Sequence, residues 1–204
     1  MTIFYGDYYS GDCGVNLTGT VAACIKATQG THYQNPCYRQ TVDEANRVGA
    51  YVFAYHFLEP GNGDGQAEWY VKTQNHGNRP VMVDAEKLPD GRFPSVHDLR
   101  DFISGVNKRK GRCHLAYIPH WFWQDFWKEP DLTFLRDYPA RLVSSEYTTY
   151  SDHGPGWNPY GGMWPQIWQY TDTFNMHGMH VDFNAFRGSV TELRAMAETG
   201  ALPS

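Results

Sequence analysis

The sequence predicts an α/β protein: an irregular, TIM-like (β/α) barrel of about eight strands, with its helices reduced in the last third. Three observations predict it. Over the first two thirds, short apolar runs of strand length alternate with longer stretches of helical period. The run Val81, Met82, Val83 is apolar on successive residues, as a parallel strand covered on both faces must be. No run carries the half-polar alternation of an unpaired edge, so the sheet is expected to close on itself.

Residues 2–9 (TIFYGDYY) and 21–28 (VAACIKAT) read as the first two strands. Residues 39–49 form a helix stopped by Gly49, and 50–57 a third strand. A helix over 63–75 leads to a strand over 80–86, closed by Pro89. Residues 95–109 form a helix with Ser95 as N-cap and Asp98 three positions on, a capping-box variant. A strand over 113–119 and a short helix over 120–127 follow. In the last third, 140–147, 164–170 and 179–186 read as strands joined by loops, and 189–200 as a terminal helix.

With 204 residues, the chain is long enough for one sizeable core and short for two, so a single domain over 1–204 is expected. Hydrophobic content of 41% against 19% charged excludes disorder, and no apolar run reaches membrane-spanning length. A net charge of −5 argues against binding a phosphate backbone; the one basic cluster, Lys108 to Arg112, reads as an exposed helix end. Aromatic residues make up 16%, an excess that suits a core or the apolar faces of sugar rings. Cys13, Cys24, Cys37 and Cys113 show no C-x-x-C spacing, and Cys24 and Cys113 read as buried thiols. The start "MTIFYGDYY" lacks a charged segment followed by an apolar one. A protein made in a host cytoplasm and released to its target is therefore expected, or a secreted one whose signal is missing from this chain.

The chemistry concentrates in "RPVMVDAEKLPD". Side chains alternate along a strand, so Met82, Asp84 and Glu86 share one face while Val81, Val83 and Ala85 take the other. Two strand steps put the acids' Cα atoms about 6 to 7 Å apart, close enough that the pair keeps one proton where water is partly excluded. The plain alternative is a solvated strand end. Asp7, late in the first strand, and Asp182, in the last, reach the same mouth if the barrel closes, because closure makes those strands neighbours. Each also has a local reading, Asp7 as a turn cap and Asp182 as a partner of backbone amides. The segment "HGMHVD" invites a metal reading, but His177 and His180 fall on opposite faces of a strand unless Gly178 bends it. A serine hydrolase is weaker still, since no G-x-S-x-G appears.

The order of Asp7, "IKATQGTHY", "AYHF", "VDAE", "WQY" and "VDFNAF" resembles glycoside hydrolase family 25 over nearly the whole chain. The resemblance implies a lysozyme that cuts the β-1,4 bond between N-acetylmuramic acid and N-acetylglucosamine in bacterial peptidoglycan. It implies a monomeric catalytic domain with no cofactor and no metal, inserting into no membrane, of the phage endolysin kind. Carried over by position, the acids are Asp7, Asp84, Glu86 and Asp182, with Glu86 as proton donor, and the sugar-binding aromatics are Tyr55, Tyr117, Tyr147 and Trp168. Two departures stand out: Gln29 where the family usually has Glu in T-E-G, and Val143 and Ser145 where it often has Trp and Ala. The alternative is a barrel that binds wall carbohydrate without cleaving it, or a phage tail component.

Overall fold

A computed structural model describes residues 1–73 and 78–202. Its strands are β1 (Ile3–Tyr8), β2 (Ala22–Gln29), β3 (Tyr33–Gln34), β4 (Tyr51–Phe57), β5 (Val81–Asp84), β6 (Cys113–Tyr117), β7 (Arg141–Ser145), β8 (Ile167–Met176) and β9 (Met179–Phe186). Its helices are α1 (Tyr38–Arg47), α2 (Gly63–Thr73), α3 (Val96–Lys108), α4 (His120–Asp125) and α5 (Val190–Thr199). The last two positions of the helix expected over 63–75 lie outside the described residues.

Eight strands close a ring in the order β1-β2-β4-β5-β6-β7-β8-β9 and back to β1. Neighbours from β1 through β8 run parallel, while β9 is antiparallel to both β8 and β1. The short β3 lies outside the ring, paired back onto the end of β2. Because β9 runs the other way, its early residues, and not its last ones, stand at the mouth formed by the C-terminal ends of the parallel strands. Asp182 reaches the mouth for that reason.

Strand parity sorts the core. Tyr5, Cys24, Phe53, Met82, Leu115, Val143, Ile167 and Phe186 fill the barrel interior, and Leu193, Met196 and Ala197 of α5 join that layer. Val81, Val83 and Ala85 point outward into a second layer with Leu99, Phe102 and Ile103 of α3. The helices α2 and α3 pack closely, since a methyl at Gly105 would stand 2.8 Å from the Ala67 Cβ. Ser95 starts α3 as expected: its Oγ accepts from the Asp98 N–H at 3.1 Å, and Asp98 Oδ2 accepts from the Ser95 N–H at 2.8 Å. Such a cap contributes about 1 kcal/mol. Ser189 and Glu192 repeat it at the start of α5.

Two elements differ from expectation. The strand over 80–86 ends at Asp84, although the Ala85 N–H still donates to the Tyr117 carbonyl, so Glu86 leaves the ladder at the rim. The strand over 164–170 starts later and runs on to Met176, forming a hairpin with β9 in place of a loop. Its turn residues His177 and Gly178 both have positive φ, 52° and 93°. That turn matches the twist of the strands, but His is not the residue that usually signals it.

Among the described residues, no α-helix packs on the outer side of β8 and β9. Trp157, Trp168 and Ala185 form a separate cluster there, with Tyr150 and Tyr170 against it. Part of the aromatic excess therefore does the work that helices do elsewhere around the ring. Cys13 and Cys37 form a disulfide with Cα atoms 5.5 Å apart, and Cys24 and Cys113 are buried thiols. Arg109, within the basic cluster at the end of α3, forms an exposed two-pronged ion pair with Asp64. No helix among the described residues is long and apolar enough to cross a membrane.

Candidate active site

A cleft of about 210 Å³ opens at the C-terminal mouth of the barrel, lined by Asp7, Tyr9, Lys26, Tyr55, Phe57, Met82, Asp84, Glu86, Tyr117, Tyr147, Gln169 and Asp182. All four acids singled out in the sequence meet there. Asp84 ends β5, and Asp7 sits next to the end of β1, opposite Asp182 in the β1/β9 register. Asp7 and Asp84 are buried, whereas Glu86 and Asp182 are half-buried at the rim.

The surroundings give each acid a different state. Burial pushes Asp7 upward, and two amides pull it back: Gln169 Nε2 donates to Asp7 Oδ2 at 2.8 Å and Asn184 Nδ2 at 3.0 Å. Bonds to the charged form favour the charged form. Asp182 is pushed up to about 9, first by burial and then by the charge of Asp7, to which it hydrogen-bonds. At neutral pH Asp182 therefore holds its proton and donates it to Asp7. Glu86 is raised to about 7 by burial and then by Asp7, with Lys26 pulling the other way. Asp84 is driven well above the usual carboxylate range by burial and then by Glu86, again opposed by Lys26. Neighbouring acids of this kind titrate as a unit, and the pair keeps a proton near neutrality. Glu86, at the rim, is the member placed to deliver it.

Gln169 is the hub that the sequence reading missed. The hydroxyls of Tyr117 and Tyr147 both donate to its Oε1 at 2.8 Å, which leaves its Nε2 aimed at Asp7. Asn184, paired with Gln169 across β8/β9, supplies the second amide. The missed signal was parity: Ile167 faces the barrel interior, so Gln169 must as well and Trp168 must not.

Trp168 is accordingly corrected. It is fully buried on the outer side of β8, its indole Nε1 donating to the Glu146 carbonyl at 2.8 Å, and it touches no part of the cleft. Tyr55 and Tyr117, 7% and 5% exposed, lie low in the cleft, whereas Tyr147 at 51% and the unforeseen Tyr9 at 50% offer open ring surface beside the half-buried Phe57. Val143 packs in the interior layer and does not line the cleft. His177 sits in the hairpin turn, its Nε2–H donating to the Thr18 carbonyl at 3.0 Å, and no group of three or more His, Cys, Asp or Glu among the described residues is arranged to hold a metal ion.

Lys26 is the only cation among the described residues that line the cleft. Its Nζ donates to Gln29 Oε1 at 2.8 Å and stands 4.4 Å from the Phe57 ring centre. Gln29, at the position where the resemblance expects an acid, donates in turn to Glu59 at 2.9 Å. Glu59 follows the end of β4, the strand next to β2 in the ring.

Comparison with known proteins agrees with this geometry. The model of glycosyl hydrolases family 25 matches residues 9–179, a span that omits Asp7 and Asp182, which the barrel brings back to the site. The chain is 26% identical to the uncharacterized protein YegX of Escherichia coli K12 over 86% of its own length and 62% of that protein's. It thus spans less than two thirds of that relative. It is also 26% identical to the N,O-diacetylmuramidase of Chalaropsis sp., covering 90% of this chain and 93% of that one. A family GH25 lysozyme structure from Aspergillus fumigatus shares the fold, with a TM-score of 0.81 at 24% identity, covering 97% of this chain and 100% of the other.

Proposed function

The chain belongs to glycosyl hydrolase family 25, and from that premise we propose that it is a lysozyme, an N-acetylmuramidase that cleaves the β-1,4 bond between N-acetylmuramic acid and N-acetylglucosamine in peptidoglycan. The observation that carries this reading is the meeting of Asp7, Asp84, Glu86 and Asp182 in one cleft at the barrel mouth, with Glu86 at its rim. A general acid works best with a pKa near the working pH, and Glu86, raised to about 7 at an open rim, meets that condition.

In this reading Glu86 gives its proton to the glycosidic oxygen as the C–O bond breaks and the bonding electrons leave with that oxygen. Asp84 supports the positive charge that develops on the sugar ring. Asp7, whose charged form is favoured by two amides and by the proton of Asp182 against the effect of burial, raises Glu86. Water then adds at the anomeric carbon, and its proton returns to the carboxylate pair. The rings of Tyr147 and Tyr9 flank the sugar, and Tyr55 and Tyr117 support it from below. The Cys13–Cys37 disulfide favours action outside the reducing cytoplasm, at the wall itself.

Two measurements test the proposal. Glu86→Gln should lower the clearing of a peptidoglycan suspension by about 10²- to 10⁴-fold while the melting temperature stays near native. Mass analysis of the products should find N-acetylmuramic acid at the new reducing end. Binding without clearing by the native chain would instead make it a wall-attachment module.

A further inference from the structure

The acids of the cleft face one ammonium group that does not pair with any of them. Lys26 Nζ has no carboxylate oxygen within ion-pair distance among the described residues, although Asp84, Glu86 and Glu59 all act on it. It is held instead by Gln29 Oε1 and by the rings of Phe57, Tyr33 and Tyr55, with centres 4.4, 5.7 and 6.0 Å away. A cation beside several acids ordinarily collapses onto one of them. Something must orient the Gln29 amide so that its oxygen faces Lys26.

That orientation comes from Glu59. Gln29 Nε2 donates to Glu59 Oε1 at 2.9 Å, which fixes the amide oxygen on the Lys26 side. Glu59 is itself clamped. Its N–H donates to Gln66 Oε1 at 2.9 Å, and its carbonyl accepts from Gln66 Nε2 at 2.8 Å. Gln66 Nε2 also donates to the Gly61 carbonyl, so Gln66 Oε1 is an acceptor and the His56 Nε2 that faces it at 3.2 Å carries a hydrogen. His56 Nδ1 then accepts from the Thr28 hydroxyl at 2.7 Å, which closes a polar circuit on β2, two residues from Lys26. The carboxylate of Glu59 lies over Gly30, where a side chain would meet it at 2.6 Å.

We propose that Glu59 is a positioning residue: through Gln29 it tethers the Lys26 ammonium short of the acid pair, so that Glu86 keeps its proton. The proposal rests on the muramidase reading and names a residue that reading does not include. The titratable groups that share the cleft with Glu86 among the described residues are Asp84 on β5, Asp7 on β1, Tyr9 just beyond β1, Asp182 on β9, Lys26 on β2, Tyr55 on β4, Tyr117 on β6 and Tyr147 beyond β7. Of these Lys26 is the one cation among the described residues, and the Gln29 arm, with the Phe57, Tyr33 and Tyr55 rings beside it, opposes its movement toward the pair.

The test compares three full-length variants by their rates of reducing-end release against pH. Glu59→Ala and Gln29→Leu cut the tether and should shift the basic limb, where Glu86 loses its proton, about one pH unit lower. Glu59→Gln keeps an acceptor for the Gln29 amide and should retain the native limb. Native limbs in the first two variants would overturn the proposal, and so would a shift in Glu59→Gln as large as in Glu59→Ala. Titration of the Glu86 carboxyl by ¹³C NMR reads the same midpoint without turnover. A native chain that cleaves nothing therefore defeats the muramidase reading while the NMR midpoints still decide the tether. Should Glu59→Ala fail to fold, the NMR midpoint of Gln29→Leu decides: lower than native supports the tether, unchanged overturns it.

Discussion

Replacing Lys26 by Met removes the one positive charge among the described residues that line the cleft, while keeping a chain of similar length against Phe57. Lys26 lowers both Glu86 and Asp84, so both must rise when it goes. A cleft of about 210 Å³ is about 7 Å across if roughly spherical, which sets the scale of charge separation within it. At 7 Å, an effective dielectric of about 20 gives an interaction of about 2.4 kcal/mol, and a wetter value of about 40 gives about 1.2. The Glu86 midpoint should therefore move from about 7 to roughly one or two units higher. Glu86 then stays protonated to higher pH, and the basic limb of the rate profile moves up. The maximal rate should fall, because Asp84 ionises less readily and gives less support to a cationic sugar. Initial rates of reducing-end release, measured from about pH 4 to about pH 10 at constant ionic strength, read both effects. A basic limb that stayed in place or moved down would refute the electrostatic account. The opposite shifts expected for removing Lys26 and for untethering it make the pair of experiments discriminating.

Asp182→Asn should retain most activity, since its amide can donate to Asp7 as the protonated acid does, whereas Asp182→Ala should lose it; rates at pH 6 separate the two. The folded chain holds the Asp182 proton up to about pH 9, whereas the unfolded chain releases it near pH 4. Native stability therefore falls as pH rises through that window, and the melting temperature of Asp182→Asn should gain on the native one from pH 4 to pH 8. Trp168→Ala empties a fully buried site and should destabilise the fold by about 3 to 5 kcal/mol in urea titrations, with residual activity falling only in step with the folded fraction. Reducing Cys13–Cys37, which spans 24 positions, should lower stability by about 3 kcal/mol without altering the pH profile.

Some of this was visible in the residues alone. The two-residue period of a strand put Met82, Asp84 and Glu86 on one face, and the structure places the first in the interior layer and the two acids above it. The Ser95–Asp98 cap, the stop at Gly49 and the thin helical cover of the last third were equally legible, because each is written within a few residues of chain. The same period, applied to Ile167, would have turned Trp168 outward and Gln169 inward. The hairpin at His177 and Gly178 left no such trace, since His is a poor signal for its turn.

What tertiary structure alone decided are quantities that depend on closure. Asp7 and Asp182 are distant along the chain, and they become opposite partners only because β9 enters antiparallel and completes the ring. Their division into a charged acceptor and a protonated donor follows from burial and from the amides of Gln169 and Asn184, which arrive on other strands. Local sequence fixes which way a side chain points, because backbone geometry repeats every residue or two. It does not fix which charges face one another or how much water lies between them, and those two quantities set the proton positions on which the cleft depends.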